Sequence, residues 1–383
     1  MRVLVPAETR PGECRVAVVP ESAGRLAAMG LEVLVESGAG RHVFASDDDY
    51  RAVGATIVPK DGIRAAFESV EAVVTVRPLE PRIAALVKAG AITLSFLQPV
   101  ADLDTVRELR DRGATALSFD LLPRISRAQS MDALTSQALC TGYRAVLMAA
   151  EQSTKFFPMF MTAAGTITPA KVVVLGVGVA GLQAIATARR LGAVVSANDV
   201  RASSAAEVQS MGAKFISLDV EAEGSGGYAR ELGEDRAARQ RELLAPHIAE
   251  ADAVITTAAI PGRPAPLLVT AAMVAAMKPG SVLVDLAAES GGNVEGSRPG
   301  ETVDVNGVKI IGGKDVASAL PVHASKLYGQ NVVNLFALFS KEGQIAPDLE
   351  DEVIAGCAVV FNGEVRNEAA RAALGEAPTG EGA

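Results

Sequence analysis

The sequence predicts an α/β protein built on two doubly wound, mainly parallel sheets. Three observations carry this. Short β-branched runs alternate with helical patterns over most of the 383 residues, the rhythm of a parallel sheet with helices on both faces. Residues 171–201 form a complete strand–loop–helix–strand unit whose loop reads Gly176-Val-Gly178-Val-Ala-Gly181. Apolar residues make up 49% of the chain and aromatics only 4%, which suits close α/β packing by Ala, Val and Gly.

In the first 120 residues, strands are expected at Arg2–Val5, Glu32–Glu36, Ala72–Val76, Ile92–Phe96 and Ala114–Ser118. Helices are expected at Ser22–Met29, Ile63–Phe67, Arg82–Lys88 and Leu103–Arg112, with Gly30, Gly90 and Gly113 closing three of them. This region has no glycine-rich phosphate loop. Residues 121–136 break the rhythm with a polar stretch that follows a strand end. Ser136–Ser153 then reads as a long helix that crosses to a second domain. Its apolar neighbour, Phe156-Phe157-Pro158-Met159-Phe160-Met161, suits core or interface rather than chemistry. Later strands are expected at Lys214–Ser217, Ala253–Thr256, Ser281–Asp285 and Lys309–Ile311. The polar, glycine-hinged segment at about 219–243 reads as a mobile lid or binding arm, with Tyr228 at its tip and Gly227 beside it. A helix at Ser325–Phe339 and the stretch Val353–Val360 return to the first domain. The expected division is therefore 1–135 with 320–383, and 136–319: two Rossmann-like domains linked by long helices, with a cleft between them.

Composition excludes several classes. A net charge of −9 with no basic run argues against nucleic acid. Met1 leads straight into a strand with no secretory signal, and Cys14, Cys140 and Cys357 form neither a metal spacing nor an even disulfide framework, so a reducing cytoplasm is expected. Val172–Ala188 is almost wholly apolar, but its glycines, Gln183 and a length below the roughly 18 residues of a membrane span argue against crossing. His42, His247 and His323 lie far apart, so no metal site is expected. Ser126, Ser130 and Thr135 have no nearby His for a hydrolase triad. Asp285 ends a strand and could serve a site or cap a turn.

The glycine loop carries the clearest chemistry. Gly176 permits a tight turn, Gly178 leaves room for a pyrophosphate, and Gly181 lets helix and strand pack closely. The helix opening at Val179 and Ala180 offers free N–H groups and a positive dipole end to the phosphates. Asp199, followed by Val200 and Arg201, stands where a carboxylate accepts from the adenosine ribose hydroxyls. Its charge repels a 2′-phosphate and so favours NAD over NADP, a preference that Arg201 weakens. On the polar stretch, Arg124, Gln129 and Asp132 suit gripping a nicotinamide carboxamide; the alternative is a capped helix start, with Asp132 stabilising the first turn.

Four stretches resemble a known family. Pro6-Ala-Glu-Thr-Arg-Pro-Gly-Glu-Cys-Arg-Val-Ala is similar to the opening shared by alanine dehydrogenases and proton-translocating nicotinamide nucleotide transhydrogenases. Pro123–Asp132, the segment from Gly176 to Ala188, and Thr256–Pro266 resemble the transhydrogenase branch. The resemblance implies the NAD(H)-binding component of that enzyme, a homodimer. An NADP(H)-binding β subunit and a membrane-spanning component would lie elsewhere and hold this chain at the cytoplasmic face of the inner membrane. It implies that Arg124, Gln129 and Asp132 orient the nicotinamide, with Thr135 where the family often has Ser. It also places Tyr228 on the mobile loop and Ala258 and Ala259 with the cofactor. Alanine dehydrogenases use a Lys on one early strand and a His on the next; here those regions read Val73-Val-Thr-Val-Arg77-Pro78 and Leu94-Ser-Phe-Leu-Gln98-Pro99, without the pair. A non-catalytic NAD sensor is the further alternative. Hydride transfer between two nicotinamides needs positioning and exclusion of water rather than an acid–base pair.

Overall fold

The computed structural model describes residues 1–218, 233–259 and 263–376. Gly227 and Tyr228 lie outside the described residues, as does most of the segment expected to be a lid. Residues 234–243, the charged helical run that ends that segment, begin the helix Glu234–Glu250.

The chain forms two compact units: Met1–Gln137 with the chain from Leu320 onward, and Ala138–Ala319. It passes from the first to the second within the helix Ala133–Gln152.

In the first unit, the strands run across the sheet in the order Glu364–Val365, Ala358–Phe361, Thr115–Ser118, Ile92–Ser95, Ala72–Val74, Arg2–Val5, Glu32–Glu36, Thr56–Val58. The six strands nearer the N-terminus pair in parallel. The two C-terminal strands add antiparallel at one edge. The sheet is therefore mixed, not wholly parallel: Val353–Val360, read as one segment, is the helix Glu352–Cys357 followed by a strand.

Strand residues alternate between two buried faces. Val3, Val5, Val33, Val35, Val74 and Leu94 feed one core, while Leu4, Leu34, Val73 and Ala116 feed the other. Burial on both faces explains why these strands read as continuous apolar runs. Tyr328, from the helix Pro321–Phe339, packs edge-on against Phe119 with ring centroids 5.2 Å apart and donates its hydroxyl to the Thr75 carbonyl. Such a buried ring satisfies its one polar atom and gives the core a fixed register.

Two elements carry no clear mark in the sequence. Asp47–Ala52 is a helix closed by a Ser46–Asp49 capping box, and Thr56–Val58 is the parallel edge strand after it.

In the second unit the order is Lys214–Phe215, Val194–Asn198, Lys171–Leu175, Ala253–Thr256, Val282–Asp285, Val308–Gly312, Thr302–Val305. All pairings are parallel except the last, an edge hairpin that periodicity does not separate. Strand order reverses between Lys171–Leu175 and Ala253–Thr256, the switch point at whose carboxyl end ligands bind in such sheets.

The apolar run after Ser153 divides. Phe157 is buried, whereas Phe156, Met159, Phe160 and Met161 are exposed, Met161 by 79%. Phe160–Thr162 and Gly165–Ile167 form a separate hairpin with every residue exposed. Cys140 and Cys357 are buried and Cys14 is half-buried; all three are free thiols. Among the described residues, no helix is long and apolar enough to cross a membrane, and no cluster of His, Cys, Asp or Glu could hold a metal ion.

Candidate dinucleotide site

At the switch point the strand Lys171–Leu175 turns sharply into the helix Val179–Arg190. Gly176 makes the turn at φ +94°, in the left-handed region where a side chain is strained, and a Cβ there would lie 2.7 Å from Thr257 Oγ1. The turn is held on three sides. Gly176 N–H donates to the Asn198 carbonyl (2.9 Å), Thr257 Oγ1 donates to the Gly176 carbonyl (3.0 Å), and Val177 N–H donates to Asp199 Oδ2 (2.7 Å).

Gly178 is exposed, and a Cβ built on it meets nothing within 4 Å. It is the N-cap of its helix and supplies no side-chain cap, so the first N–H groups of the helix face outward unclaimed by a side chain. Val179 is exposed and Ala180 half-buried at this open end. The cradle fits a pyrophosphate: open space over a backbone turn, with helix N–H groups and a positive dipole end pointing into it. Gly181 is constrained from within, because its Cβ would sit 2.0 Å from the Gly176 carbonyl oxygen. Gly142, on the helix Ala133–Gln152, is as tight: its Cβ would be 2.1 Å from the Ala180 oxygen. Neither Thr257 nor Gly142 was expected at the site. Thr257 follows a strand end, which is the signal that could have found it; Gly142 sits in an ordinary helical pattern.

Asp199 stands just past the strand Val194–Asn198, with Val200 half-buried beside it. Its carboxylate is already engaged. Oδ1 accepts from Arg201 N–H (2.9 Å) and Arg201 Nε (3.0 Å). Oδ2 accepts from Val177 N–H (2.7 Å) and Arg201 NH2 (3.3 Å). Arg201 NH2 also donates to the Val177 carbonyl at 3.0 Å. The pairing raises the Arg201 pKa further.

Ala258 and Ala259 follow the neighbouring strand; the Ala258 carbonyl accepts from Asn293 Nδ2 at 2.9 Å, and Ala259 is exposed. Asp285, left open between site and cap, is fully buried. It accepts from Thr256 Oγ1 and from the N–H groups of Ala287, Asn293 and Val294 at 3.0–3.2 Å, so it pins the loop after its own strand.

The polar stretch lies in the first unit. Ser126–Met131 is a 3-10 helix, and Asp132 caps the helix Ala133–Gln152. Thr135 N–H donates to Asp132 Oδ1 (2.9 Å) and Thr135 Oγ1 to Oδ2 (2.6 Å). The capped helix start is therefore present, and Thr135 belongs to it. Two anchors hold the stretch from behind. Arg127 forks onto Asp351 at 2.8 and 2.6 Å, and the amides of Asn331 and Asn334 donate to the Ser130 carbonyl at 3.0 and 2.7 Å. Arg124 and Gln129 are exposed on this anchored frame.

The first unit carries a second charged cluster at the carboxyl ends of its central strands. Arg15 forks onto Glu13 (Nε 2.7 Å, NH2 2.6 Å) and donates to Gln137 Oε1 at 2.9 Å. Arg77 Nε donates to Glu13 Oε2 at 3.0 Å. Burial alone would raise the Glu13 pKa, but the Arg15 fork and the Arg77 charge bring it down to about 2. Glu8 accepts the N–H groups of Val76 and Arg77, yet desolvation pushes it up to about 7. Arg77 is thus committed to an internal ion pair, and no His stands with it on the strand ends.

Comparison with known proteins fits this picture. Residues 4–141 match the family described as "Alanine dehydrogenase/PNT, N-terminal domain", and residues 145–368 match "Alanine dehydrogenase/PNT, C-terminal domain". The chain belongs to the alanine dehydrogenase/PNT family. Within that family, an NAD(P) transhydrogenase subunit alpha chain of Rhodospirillum rubrum is 46% identical over 378 residues, covering 95% of this chain and 97% of the relative. Alanine dehydrogenase of Mycobacterium tuberculosis is 32% identical over 305 residues, covering 78% of this chain and 76% of that one. Among solved structures, transhydrogenase from Sinorhizobium meliloti matches with a TM-score of 0.87 at 41% identity, covering 95% of this chain and all of that one. The family resemblance expected from Pro123–Asp132, Gly176–Ala188 and Thr256–Pro266 is met, and the resemblance to the transhydrogenase relative is stronger than to the alanine dehydrogenase.

Proposed function

We propose that this chain is the NAD(H)-binding component of a proton-translocating nicotinamide nucleotide transhydrogenase. Its relatives bear the names NAD(P) transhydrogenase and alanine dehydrogenase, which supports an oxidoreductase role on a nicotinamide nucleotide. The observation that carries the reading is the open glycine turn at the switch point, closed on one side by Asp199. Gly176, Gly178 and Gly181 with the N–H groups of Val179 and Ala180 would hold the pyrophosphate. Asp199, Val200 and Arg201 would meet the adenosine ribose, with Ala258 and Ala259 lining the opposite strand end. Arg124, Gln129, Asp132 and Thr135 would orient the nicotinamide, and Gly227 and Tyr228, outside the described residues, would contribute to cofactor binding.

NAD(H), when bound, supplies or accepts the hydride exchanged with NADP(H) on a partner subunit. The chain's own contribution is binding, orientation and exclusion of water. In this reading the chain is a homodimer, which the exposed apolar hairpin Phe160–Ile167 supports. It meets an NADP(H)-binding β subunit and a separate membrane-spanning component that translocates protons, at the cytoplasmic face of the inner membrane.

Alanine dehydrogenase is the second reading, favoured only by the shared family. Against it stands the lack of a Lys and a His on the two early strand ends, where Arg77 instead pairs with Glu13. One assay separates the readings. Mixed with NADH, pyruvate and ammonia, the chain should oxidise no NADH; mixed with NADH and an NADP(H)-binding partner holding NADP, it should. Oxidation with pyruvate and ammonia alone would sink the proposal. Binding of NADH without transfer in either mixture would favour a sensor.

A further inference from the structure

We infer that Asn293 is a positioning residue for the dinucleotide site: its side-chain amide clamps the two limbs of the loop that follows the strand Ala253–Thr256, and so sets the wall beside the glycine turn. The inference rests on the NAD(H) site proposed above and adds to it a buried residue that acts through the loop rather than by contact.

A close turn brings Asn293 under that loop. Asp285 ends the strand Val282–Asp285, and Gly292, at φ +82°, folds back so tightly that a Cβ there would lie 2.9 Å from Asp285 Oδ2. Asn293 follows, fully buried, with its N–H donating to the same oxygen at 3.0 Å. From there it binds the neighbouring loop at four points. Nδ2 donates to the Ala258 carbonyl at 2.9 Å and to the Pro266 carbonyl at 2.8 Å. Its own carbonyl accepts from the N–H groups of Leu268 and Val269, both at 2.9 Å. Two carbonyl partners can be met only by the NH2 end of the amide, so its orientation is fixed. Oδ1 is then buried with no partner among the described residues. An unpaired buried acceptor destabilises a fold. Packing alone would favour an apolar side chain here; the amide supplies two donors that no apolar side chain can. The clamp bears on the site because Ala258 adjoins the turn: a Cβ on Gly176 would lie 2.9 Å from Ala258 N. Thr257, one residue earlier, donates to the Gly176 carbonyl. A limb freed at Ala258 loosens both the wall and the hydroxyl that holds the turn, and small displacements of such supporting groups weaken binding.

The test compares the wild-type chain, Asn293→Ala and Asn293→Asp by NADH fluorescence titration and by denaturant unfolding, from about pH 5 to about pH 9. Asn293→Ala should raise Kd for NADH roughly tenfold over wild type at every pH, because two buried carbonyls lose their donor. Asn293→Asp keeps the shape of the side chain. Its carboxyl, buried against two carbonyls and beside Asp285, favours the protonated form, which donates one hydrogen bond. At the acid end this variant should bind NADH roughly threefold or more tighter than Asn293→Ala, and the advantage should fade as the proton is lost. Asn293→Leu, apolar and of like size, replaces the alanine variant if that one does not fold. A wild-type Kd in the variant without donors overturns the inference, as does Asn293→Asp binding no tighter than that variant at the acid end. A role in stability alone would lower the unfolding midpoints while the folded fraction binds with wild-type Kd, and that result overturns it too. Failure of the wild-type chain to bind NADH overturns the site itself, and is distinguishable from variants that bind as wild type does.

Discussion

One glycine, one acid and one amide make different demands that substitution can separate. At Gly181 any side chain meets a backbone oxygen that cannot step aside. Gly181→Ala is expected to abolish NADH binding, measured by nucleotide fluorescence, while leaving the strands beneath folded by circular dichroism. Asp132 has two candidate duties, and the structure displays one of them, the cap on Thr135. Asp132→Ala should cost about 0.5–2 kcal/mol in denaturant unfolding for the lost cap. Asp132→Ser restores a capping oxygen without the charge. If the acid also orients the nicotinamide, the serine variant regains stability but stays slow in hydride transfer; recovery of both would leave Asp132 a cap alone. Gln129 is exposed and, among the described residues, makes no side-chain hydrogen bond, so its removal costs the fold nothing. Gln129→Asn should slow hydride transfer in rapid mixing while barely altering NADH affinity, and wild-type rates would remove it from the site. Gly176, Gly178 and Asp199 were readable because the type and spacing of each residue follow from the turn. Thr257 was not, because its role is set by a partner distant in sequence, Gly176; Asp285 was left open between site and cap because its partners, the N–H groups of Asn293 and Val294, depend on the path of the loop after its strand.

The long parallel strands were legible for a related reason. Glu32–Glu36 and Ala253–Thr256 lie buried on both sides, and such burial demands an unbroken apolar run. Short edge elements carry no such mark. Asp47–Ala52 opens with three aspartates and shows no apolar period, yet the acids stand in a helical first turn, where they are favoured. The polar stretch Ser126–Met131 owes its position to Arg127, which reaches across to Asp351 on a segment more than two hundred residues away. Arg127 is exposed, so solvent screens the pair and it adds little to stability. Arg127→Ala should therefore leave thermal unfolding almost unchanged, yet slow hydride transfer by freeing the frame under Arg124 and Gln129. A variant that melts early but transfers normally would assign Arg127 to stability instead.

Across the whole chain, buried acids give stability two opposed slopes with pH. Glu13 is held at about 2, below its ordinary 4.5, so its contribution is present above 4.5 and lost as pH falls toward 2. Glu8 is raised from 4.5 to about 7, so the folded chain holds a proton that the unfolded chain releases, and stability declines as pH rises from 4.5 to 7. Asp120, pushed by burial up to about 6, adds to that decline. Chemical denaturation across this range should show an optimum near 4.5 from these groups. Glu13→Gln should flatten the acid limb and cost on the order of 3–5 kcal/mol at neutral pH, because it leaves Arg15 buried without its counter-charge.

The three thiols offer a practical handle. Cys140 is sealed in the fold, out of reach of alkylating dyes, and Cys357 is sealed too, its thiol pushed by burial up to about 12, away from the thiolate that such dyes attack. Cys14 is half-exposed and sits between Glu13 and Arg15. A maleimide fluorophore added to the native chain should therefore attach at one place, converting the Glu13–Arg15 cluster into an optical reporter without any engineered cysteine.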